Sequence, residues 1–170
     1  MEGMAGGRMA STMPGLDIAE QHAWQHFLDA SLRLYATVNR ELVDAHHLTL
    51  NDVRLLDALD NSGTGSARMG DLAEMLMSLP SRVTRQIHRL EQLGLVSRCS
   101  SPEDGRGVLA TITDEGREVL HLAMVTYGSG VRNHFLRRLS RAQTAALGDN
   151  CRRISIAMRS EDMPATLGRV

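Results

Sequence analysis

The spacing of apolar residues along the chain predicts a mostly helical protein. Between Asp17 and about Ala45, apolar residues recur at three- and four-residue steps without an interior Pro or Gly. This pattern indicates a single helix of roughly 40 Å. Thr49 then provides an N-cap for a second helix, with Asp52 in the first turn, where a carboxylate favours the helix dipole. Helical patterns resume at 70–78 and at 80–94.

The run 95–100 alternates as a strand does, and 108–113 is rich in β-branched residues. The two runs flank a segment rich in Asp and Gly and so predict a β-hairpin. Residues 67–69 form a candidate third strand of very short length. Thr113 begins a long helix that is expected to run toward Leu139, with Gly128 and Gly130 as candidate kink positions. Ser140 caps a last helix.

This element order is that of a winged helix-turn-helix between long flanking helices. The flanking helices contribute little to such a small core, so they need a partner, and the simplest partner is a second copy of the chain. We therefore expect a disordered tail at 1–16, a dimerisation helix at 17–48, a winged helix-turn-helix at 49–113, dimerisation helices at 114–160 and a flexible tail at 161–170.

The helix at 80–94 carries two distinct faces. Pro80 suits a first helical position and Gly94 suits the C-terminal end. An apolar stripe at i, i+4 and i+7 is formed by Val83, Ile87 and Leu90. Another side of the helix carries arginines at i, i+3 and i+7 together with neighbouring polar residues. This side has no acid before Glu91. It consists of Ser81, Arg82, Thr84, Arg85, His88 and Arg89.

Two interpretations of that polar face are open. Solvated helix faces usually mix charge signs, because opposite charges at i and i+4 stabilise the helix. A face of arginines and hydroxyls without acids suits phosphate oxygens and the acceptor edge of guanine. The face is therefore either an ordinary solvated surface or a nucleic-acid contact. The preceding helix, with the small residue Ala73, favours the second, since it completes a helix-turn-helix.

Charge is distributed unevenly along a chain whose net charge is only -1. All 19 basic residues are arginine. Residues 17–60 carry eight acids against three arginines, whereas 132–159 carry seven arginines against one acid. Either the two segments pair with each other, or the second forms an exposed basic surface. Aromatic residues make up only 3% of the chain, which favours packed helices over a β-sandwich.

The sequence gives only weak signals for disulfides, metal binding or catalysis. The two cysteines, Cys99 and Cys151, lack disulfide or metal spacing and are expected to be small buried hydrophobic residues. His22 and His26 lie at i and i+4, a spacing that can hold a metal, so a metal-responsive protein is an alternative.

No enzyme motif is present, and no cofactor is expected. No apolar run approaches the ~20 residues of a membrane span and no secretory signal is found, so the expected location is the cytoplasm.

Residues 71–116, DLAEMLMSLPSRVTRQIHRLEQLGLVSRCSSPEDGRGVLATITDEG, resemble the DNA-binding core of the MarR family of bacterial transcriptional regulators. The recurring elements are DLA, VTR, RLEQLGLVSR and a wing with Asp104-Gly105-Arg106. The resemblance implies a mainly α fold with a small β-hairpin wing, acting as a homodimer on pseudo-palindromic double-stranded DNA. Met77 and Leu79 depart from the Gly and Ser common in the family, so Ser78 is expected to cap the recognition helix.

The resemblance also implies roles for particular residues. Asp104 would orient the wing arginine through a salt bridge. Trp24, Phe27 and His47 are candidates for binding a small aromatic effector, with dimer-core aromatics and a linker histidine as the alternative. The DNA contacts would be made by Pro80, Ser81, Arg82, Thr84, Arg85, His88, Arg89 and Arg106. We expect a non-enzymatic DNA-binding regulator, a repressor; the alternatives are a winged-helix module that binds only protein and a metal-responsive regulator.

Overall fold

The structure is a computed structural model that describes residues 13–100 and 107–161. Its elements are, in order, α1 (Ile18–His46), α2 (Leu50–Asp60), β1 (Ser66–Arg68), α3 (Met69–Met75), α4 (Pro80–Gln92), β2 (Val96–Ser100), β3 (Val108–Ile112), α5 (Asp114–His134), a 3-10 turn (Leu136–Arg138) and α6 (Arg141–Glu161). The expected mainly helical fold with a small wing is confirmed. The predictions for Asp104, for Arg106, for most of the 1–16 tail and for 162–170 lie outside the described residues.

The three strands form one antiparallel sheet in the order β1-β3-β2. Val96 faces Ile112 and Ser100 faces Val108 across the hairpin, while the short β1 pairs with the other edge of β3. Alternate residues of β3, Ala110 and Ile112, are buried. This alternation places one face of the sheet on the helical core, as period-2 patterning predicts.

One core joins α2, α3, α4 and the sheet to the C-terminal half of α1 and to α5. It is built almost entirely from aliphatic side chains, as the low aromatic content requires. Its largest fully enclosed apolar side chains are Leu42, Leu48, Leu55, Leu56, Leu59, Leu72, Ile87, Leu90, Val53 and Val83. The N-terminal half of α1 and the described part of α6 lie outside this core.

The caps predicted at Thr49 and Ser140 are present, and Thr113, the predicted start of α5, also caps its helix. Thr49 and Asp52 form a reciprocal capping box at α2, and Thr113 Oγ1 accepts from Gly116 N at α5. Ser140 Oγ accepts from Gln143 N, and Gln143 Oε1 accepts in return from Ser140 N. These bonds fix where α2, α5 and α6 begin.

Helix α5 continues without a break past both glycines and ends at His134 rather than near Leu139. Gly130 allows α5 to pack closely against α1: a Cβ there would lie 2.6 Å from Glu41 Oε2 and 3.4 Å from Val38 Cγ2. Two polar contacts bind α5 to α1 along the same seam. His46 Nε2 lies 2.7 Å from Thr126 Oγ1, and His134 Nε2 lies 2.7 Å from Glu41 Oε1.

The turn between α3 and α4 differs from the expectation. Helix α3 ends at Met75 rather than near residue 78, because Met77 adopts a left-handed conformation with φ of +48°. Met77 N donates to Glu74 O and Ser78 N donates to Ala73 O, which is the bonding of a Schellman motif. Glycine usually occupies that left-handed position, and here a methionine does.

Two further expectations were wrong. Ser78 does not cap α4, since Leu79 is the N-cap residue and makes no side-chain capping bond. Cys99 and Cys151 are both exposed, because Cys99 lies on the edge strand β2 and α6 packs on little else within one chain. Of the two alternatives for the charged segments, pairing through arginine is not found: among the described residues, no ion pair joins an arginine of 132–159 to an acid of 17–60, and the contact between the two ranges is that of His134 with Glu41.

Within the ranges 13–100 and 107–161, none of the helices is both long enough and apolar enough to cross a membrane.

Candidate nucleic-acid interface

Helix α4 separates its apolar and polar residues sharply. Val83, Ile87 and Leu90 are fully buried against the core, as their spacing predicts. Burying these side chains fixes the rotation of the helix about its own axis. The opposite side, with Ser81, Arg82, Thr84 and Arg85, is therefore held toward solvent.

Both ends of α4 are tightly defined. Pro80 occupies the first turn, where no backbone donor is lost. At the other end Gly94 has φ of +75°, and Leu95 N donates to Leu90 O in a Schellman bond. Thr113 Oγ1 donates to Gly94 O at 2.7 Å and so ties the start of α5 to the end of α4. The polar face is consequently carried by a rigid element.

Arg82 and Arg85 are exposed, and neither makes an ion pair or a side-chain hydrogen bond with the described residues. Their neighbour Thr84 donates its hydroxyl to Pro80 O at 2.9 Å, which leaves its oxygen lone pairs outward. Two uncompensated guanidinium groups lie within about one turn of each other, and each presents five donors. This pair is the part of the predicted face that is free to bind an external acceptor.

Arg89 is engaged inside the protein. Its Nη1 makes an ion pair with Asp52, and its Nη2 donates to His47 O at 2.8 Å. Asp52 is almost fully buried and also accepts from Thr49 N, Thr49 Oγ1 and Gln86 Nε2. The expectation of an arginine face without acidic compensation is therefore wrong at Arg89, because an acid from α2 supplies it.

His88 also has intramolecular neighbours. Its Nε2 lies 2.9 Å from Arg98 Nη1, and Arg98 in turn forms an ion pair with Glu91 at 2.7 Å. This cluster joins the last turns of α4 to β2 of the wing. His88 and Arg89 thus lie on the predicted face but are held by the fold, whereas Arg82 and Arg85 are not.

The start of α2 forms the other wall of the candidate surface. One shallow groove is lined by Arg82 together with Asn51, Arg54 and Met77, and an adjoining groove contains Arg85 and Arg89. Sequence reasoning missed Asn51 and Arg54, which lie about 30 residues before α4. Their only sequence signal is their position in the first turns of α2, next to the Thr49 cap.

The candidate effector residues fall in two places, and only Trp24 and Phe27 lie apart from this surface. The rings of Trp24 and Phe27 contact one another at a centroid separation of 6.0 Å on the exposed half of α1. His47 ends α1 in a left-handed conformation with φ of +57° and contributes its carbonyl to Arg89. The structure therefore does not bring His47 together with the two aromatic residues within one chain.

The histidine pair on α1 has the geometry expected from its spacing. The rings of His22 and His26 stack with centroids 6.2 Å apart. Among the described residues, no group of three or more His, Cys, Asp or Glu side chains is placed to hold a metal ion. A metal on this pair would therefore need ligands from elsewhere.

Comparisons with known proteins agree with this geometry. A model of the MarR family matches residues 46–107. Sco3205 of Streptomyces coelicolor, a MarR family transcriptional regulator solved in complex with DNA, is 32% identical; the alignment covers 88% of this chain and 97% of that chain, with a TM-score of 0.82. AbsC, a MarR family regulator of the same organism, is 30% identical over 87% of this chain and 99% of its own, with a TM-score of 0.80.

Two curated relatives come from Bacillus subtilis. The HTH-type transcriptional regulator YhbI is 33% identical over 98 aligned residues, and the match covers 52% of this chain and 63% of YhbI. The regulator YfiV is 31% identical over 72 residues, which are 42% of this chain and 44% of YfiV. The chain therefore aligns with less than two thirds of the length of either curated relative.

Proposed function

The chain belongs to the MarR family of transcriptional regulators, and from this premise we propose that it binds double-stranded DNA sequence-specifically through α4. One observation carries the proposal: Arg82 and Arg85 project from a rigid, fully anchored helix without a partner among the described residues. Their fork-shaped donors match phosphate oxygens and the O6/N7 edge of guanine. Sco3205, 32% identical, is a relative whose structure contains DNA.

The α4 face divides into two functions. Arg82, Arg85, Ser81 and Thr84 are proposed to contact DNA, with Pro80 setting the start of the helix. Arg89 is proposed chiefly to position α4 through Asp52, and His88 to join α4 to the wing. The contact of Arg106 with the minor groove, and its orientation by Asp104, remain proposals from the family resemblance.

We propose that the chain acts as a homodimer through α1, α5 and α6. Large apolar side chains are exposed on all three helices in the single chain; they include Ile18, Leu32, Leu122, Val125, Ile154 and Met158. Exposed apolar side chains concentrated on three helices in this way mark an interaction surface. A second copy would cover it and would place two α4 helices about one DNA turn, roughly 34 Å, apart on a pseudo-palindromic site.

The same dimer would bring the opposite charges of α1 and α6 together. Asp17, Glu20 and Asp29 are exposed on α1, and Arg152 and Arg153 are exposed on α6. Since no ion pair joins these two segments within the described chain, pairing between subunits is the arrangement that their opposite charges favour.

We propose further that the regulator represses transcription in the cytoplasm and has no enzymatic activity. Its DNA binding is proposed to respond to a small aromatic molecule that contacts Trp24 and Phe27, which present two exposed rings on α1. A planar ligand could stack on such rings. If the two rings instead serve only the dimer interface, Trp24→Ala will weaken self-association and no aromatic acid will change DNA affinity.

Selection from a pool of randomised duplexes tests the proposed function. The full chain is expected to enrich an inverted-repeat sequence and to shift it in a native gel. Arg85→Ala should reduce that affinity by about tenfold or more, since each good arginine contact contributes about 1–3 kcal/mol of discrimination. Arg40→Ala, an exposed arginine on α1, is the matched control and should change little. Failure to enrich any duplex would favour a winged-helix module that binds protein.

A further inference from the structure

Three apolar side chains project into solvent around the turn between α3 and α4. Met77 is 82% exposed, Leu79 66% and Met75 49%. Single exposed apolar residues are common on protein surfaces. Three within five residues, at the start of a proposed recognition helix, form a local patch that needs its own physical reason.

The backbone directs Met77 outward. Its φ of +48° lies in the left-handed region, which is disfavoured for any residue with a Cβ. Bonds from Met77 N to Glu74 O and from Ser78 N to Ala73 O hold this conformation. Disfavoured backbone conformations of this kind cluster at functional sites. A methionine is therefore kept where glycine would fit better, and its side chain contributes little to the core.

The patch adjoins the free arginines. Met77 lines one groove with Arg82, Arg54 and Asn51. Leu79 directly precedes Pro80, the first residue of α4. In helix-turn-helix proteins, the residues at this N-terminal end of the recognition helix contact base edges. The surroundings of the patch are basic and polar, so an apolar protein partner or a lipid surface does not match them. A DNA major groove does, because it combines phosphates with the apolar C5-methyl group of thymine.

We propose that Met77 and Leu79 are specificity-determining residues that pack against thymine C5-methyl groups at the edge of each half-site. The inference rests on the proposed function, since it requires α4 to enter the major groove. The arginines would position the duplex and bind guanine, while these two side chains would favour A·T pairs with thymine on the facing strand.

Deoxyuridine provides a direct test, because it lacks only the C5-methyl group. The duplex enriched by the full chain is synthesised once with thymine and once with deoxyuridine at the half-site edges, and both affinities are measured by fluorescence anisotropy. The parent chain should prefer thymine by about fourfold for each methyl it buries. Met77→Gln keeps the side-chain length and the non-glycine backbone. It should bring the ratio of the affinities for the thymine and deoxyuridine duplexes toward one.

Leu93→Gln is the matched control, since Leu93 is 47% exposed at the opposite end of α4. It should retain the full preference for thymine. Leu79→Gln provides a second variant, and circular dichroism verifies that each variant is folded. A merely structural role for Met77 would lower affinity for both duplexes equally and leave their ratio unchanged.

The outcomes separate the two proposals. A parent chain that binds its enriched duplex but does not distinguish thymine from deoxyuridine overturns the inference and leaves the proposed function standing. The same holds if Met77→Gln and Leu79→Gln both retain the parent preference. A parent chain that enriches no duplex overturns the proposed function and, with it, the inference.

Discussion

Arg89 on α4 forms an ion pair with Asp52 on α2, and this pair links the proposed recognition helix to the start of the winged domain. Asp52 is buried, whereas the Arg89 side chain is 44% exposed. The same guanidinium donates to His47 O at the end of α1. One side chain therefore connects three helices, and the arginines of α4 are not equivalent.

Arg89→Ala is expected to destabilise the protein by about 1–3 kcal/mol, because it removes a charged partner from the buried carboxylate of Asp52. Arg85→Ala, on the same helix but without a partner among the described residues, should change stability by less than about 0.5 kcal/mol. Urea unfolding followed by circular dichroism measures both. Equal effects of the two substitutions would contradict the distinction between a positioning and a contacting arginine.

Met77→Gly is expected to stabilise the chain by about 1 kcal/mol, because glycine adopts the left-handed conformation at φ of +48° without a Cβ clash. Met77→Ala keeps the disfavoured backbone and removes only the exposed side chain, so it should have a smaller effect. Thermal unfolding of the three proteins gives the comparison. If the glycine variant is no more stable than the alanine variant, the turn is not strained at this residue.

Gly116→Ala and Gly128→Ala should change stability in opposite directions. A Cβ at Gly116 would lie 2.2 Å from Leu95 O, a backbone atom that cannot move aside easily, so a loss of about 1–3 kcal/mol is expected. A Cβ at Gly128 meets nothing within 4 Å in the single chain, and alanine there should add about 0.5–1 kcal/mol of helix stability. Denaturant midpoints distinguish the two, and destabilisation by both would point to an additional contact at Gly128.

Ile154→Asp tests the proposed dimer. Ile154 is 59% exposed on α6, and a carboxylate there would be desolvated by a second copy. Sedimentation equilibrium should show the parent as a dimer and this variant shifted toward monomer by at least tenfold in dissociation constant, or about 1.4 kcal/mol. Asn150→Asp adds the same charge at an exposed polar position of α6 and should remain dimeric. A variant that dimerises like the parent would place the interface elsewhere.

Local patterns predicted most of the fold. The long α1, the two faces of α4, the hairpin strands and the caps at Thr49, Thr113 and Ser140 all depend on residues within a few positions of one another. Such information is contained in the periodicity itself. The winged helix-turn-helix followed from the order of these elements.

The parts that sequence could not predict depend on distant residues or on backbone strain. Asp52 and Arg89 are 37 positions apart, so no local pattern reveals their ion pair. The role of Gly130 in packing against α1 depends on Glu41 and Val38. The exposure of Cys99 depends on the place of β2 at the edge of the sheet, which the local sequence does not reveal. The sequence identifies Met77 as an unusual residue in this turn, but it does not predict the left-handed conformation of the Met77 backbone.

The salt dependence of DNA binding tests the central claim most directly. Phosphate contacts release counterions, so the affinity of the parent chain for its enriched duplex should fall steeply and linearly on a log–log plot against salt concentration. Arg82→Ala and Arg85→Ala are each expected to reduce that affinity, and a substitution that removes a phosphate contact should lower the slope by about 1. The control Arg40→Ala should retain both the affinity and the slope. Unchanged affinity and slope in the Arg82→Ala and Arg85→Ala variants would contradict the assignment of the α4 arginines as the DNA-binding surface.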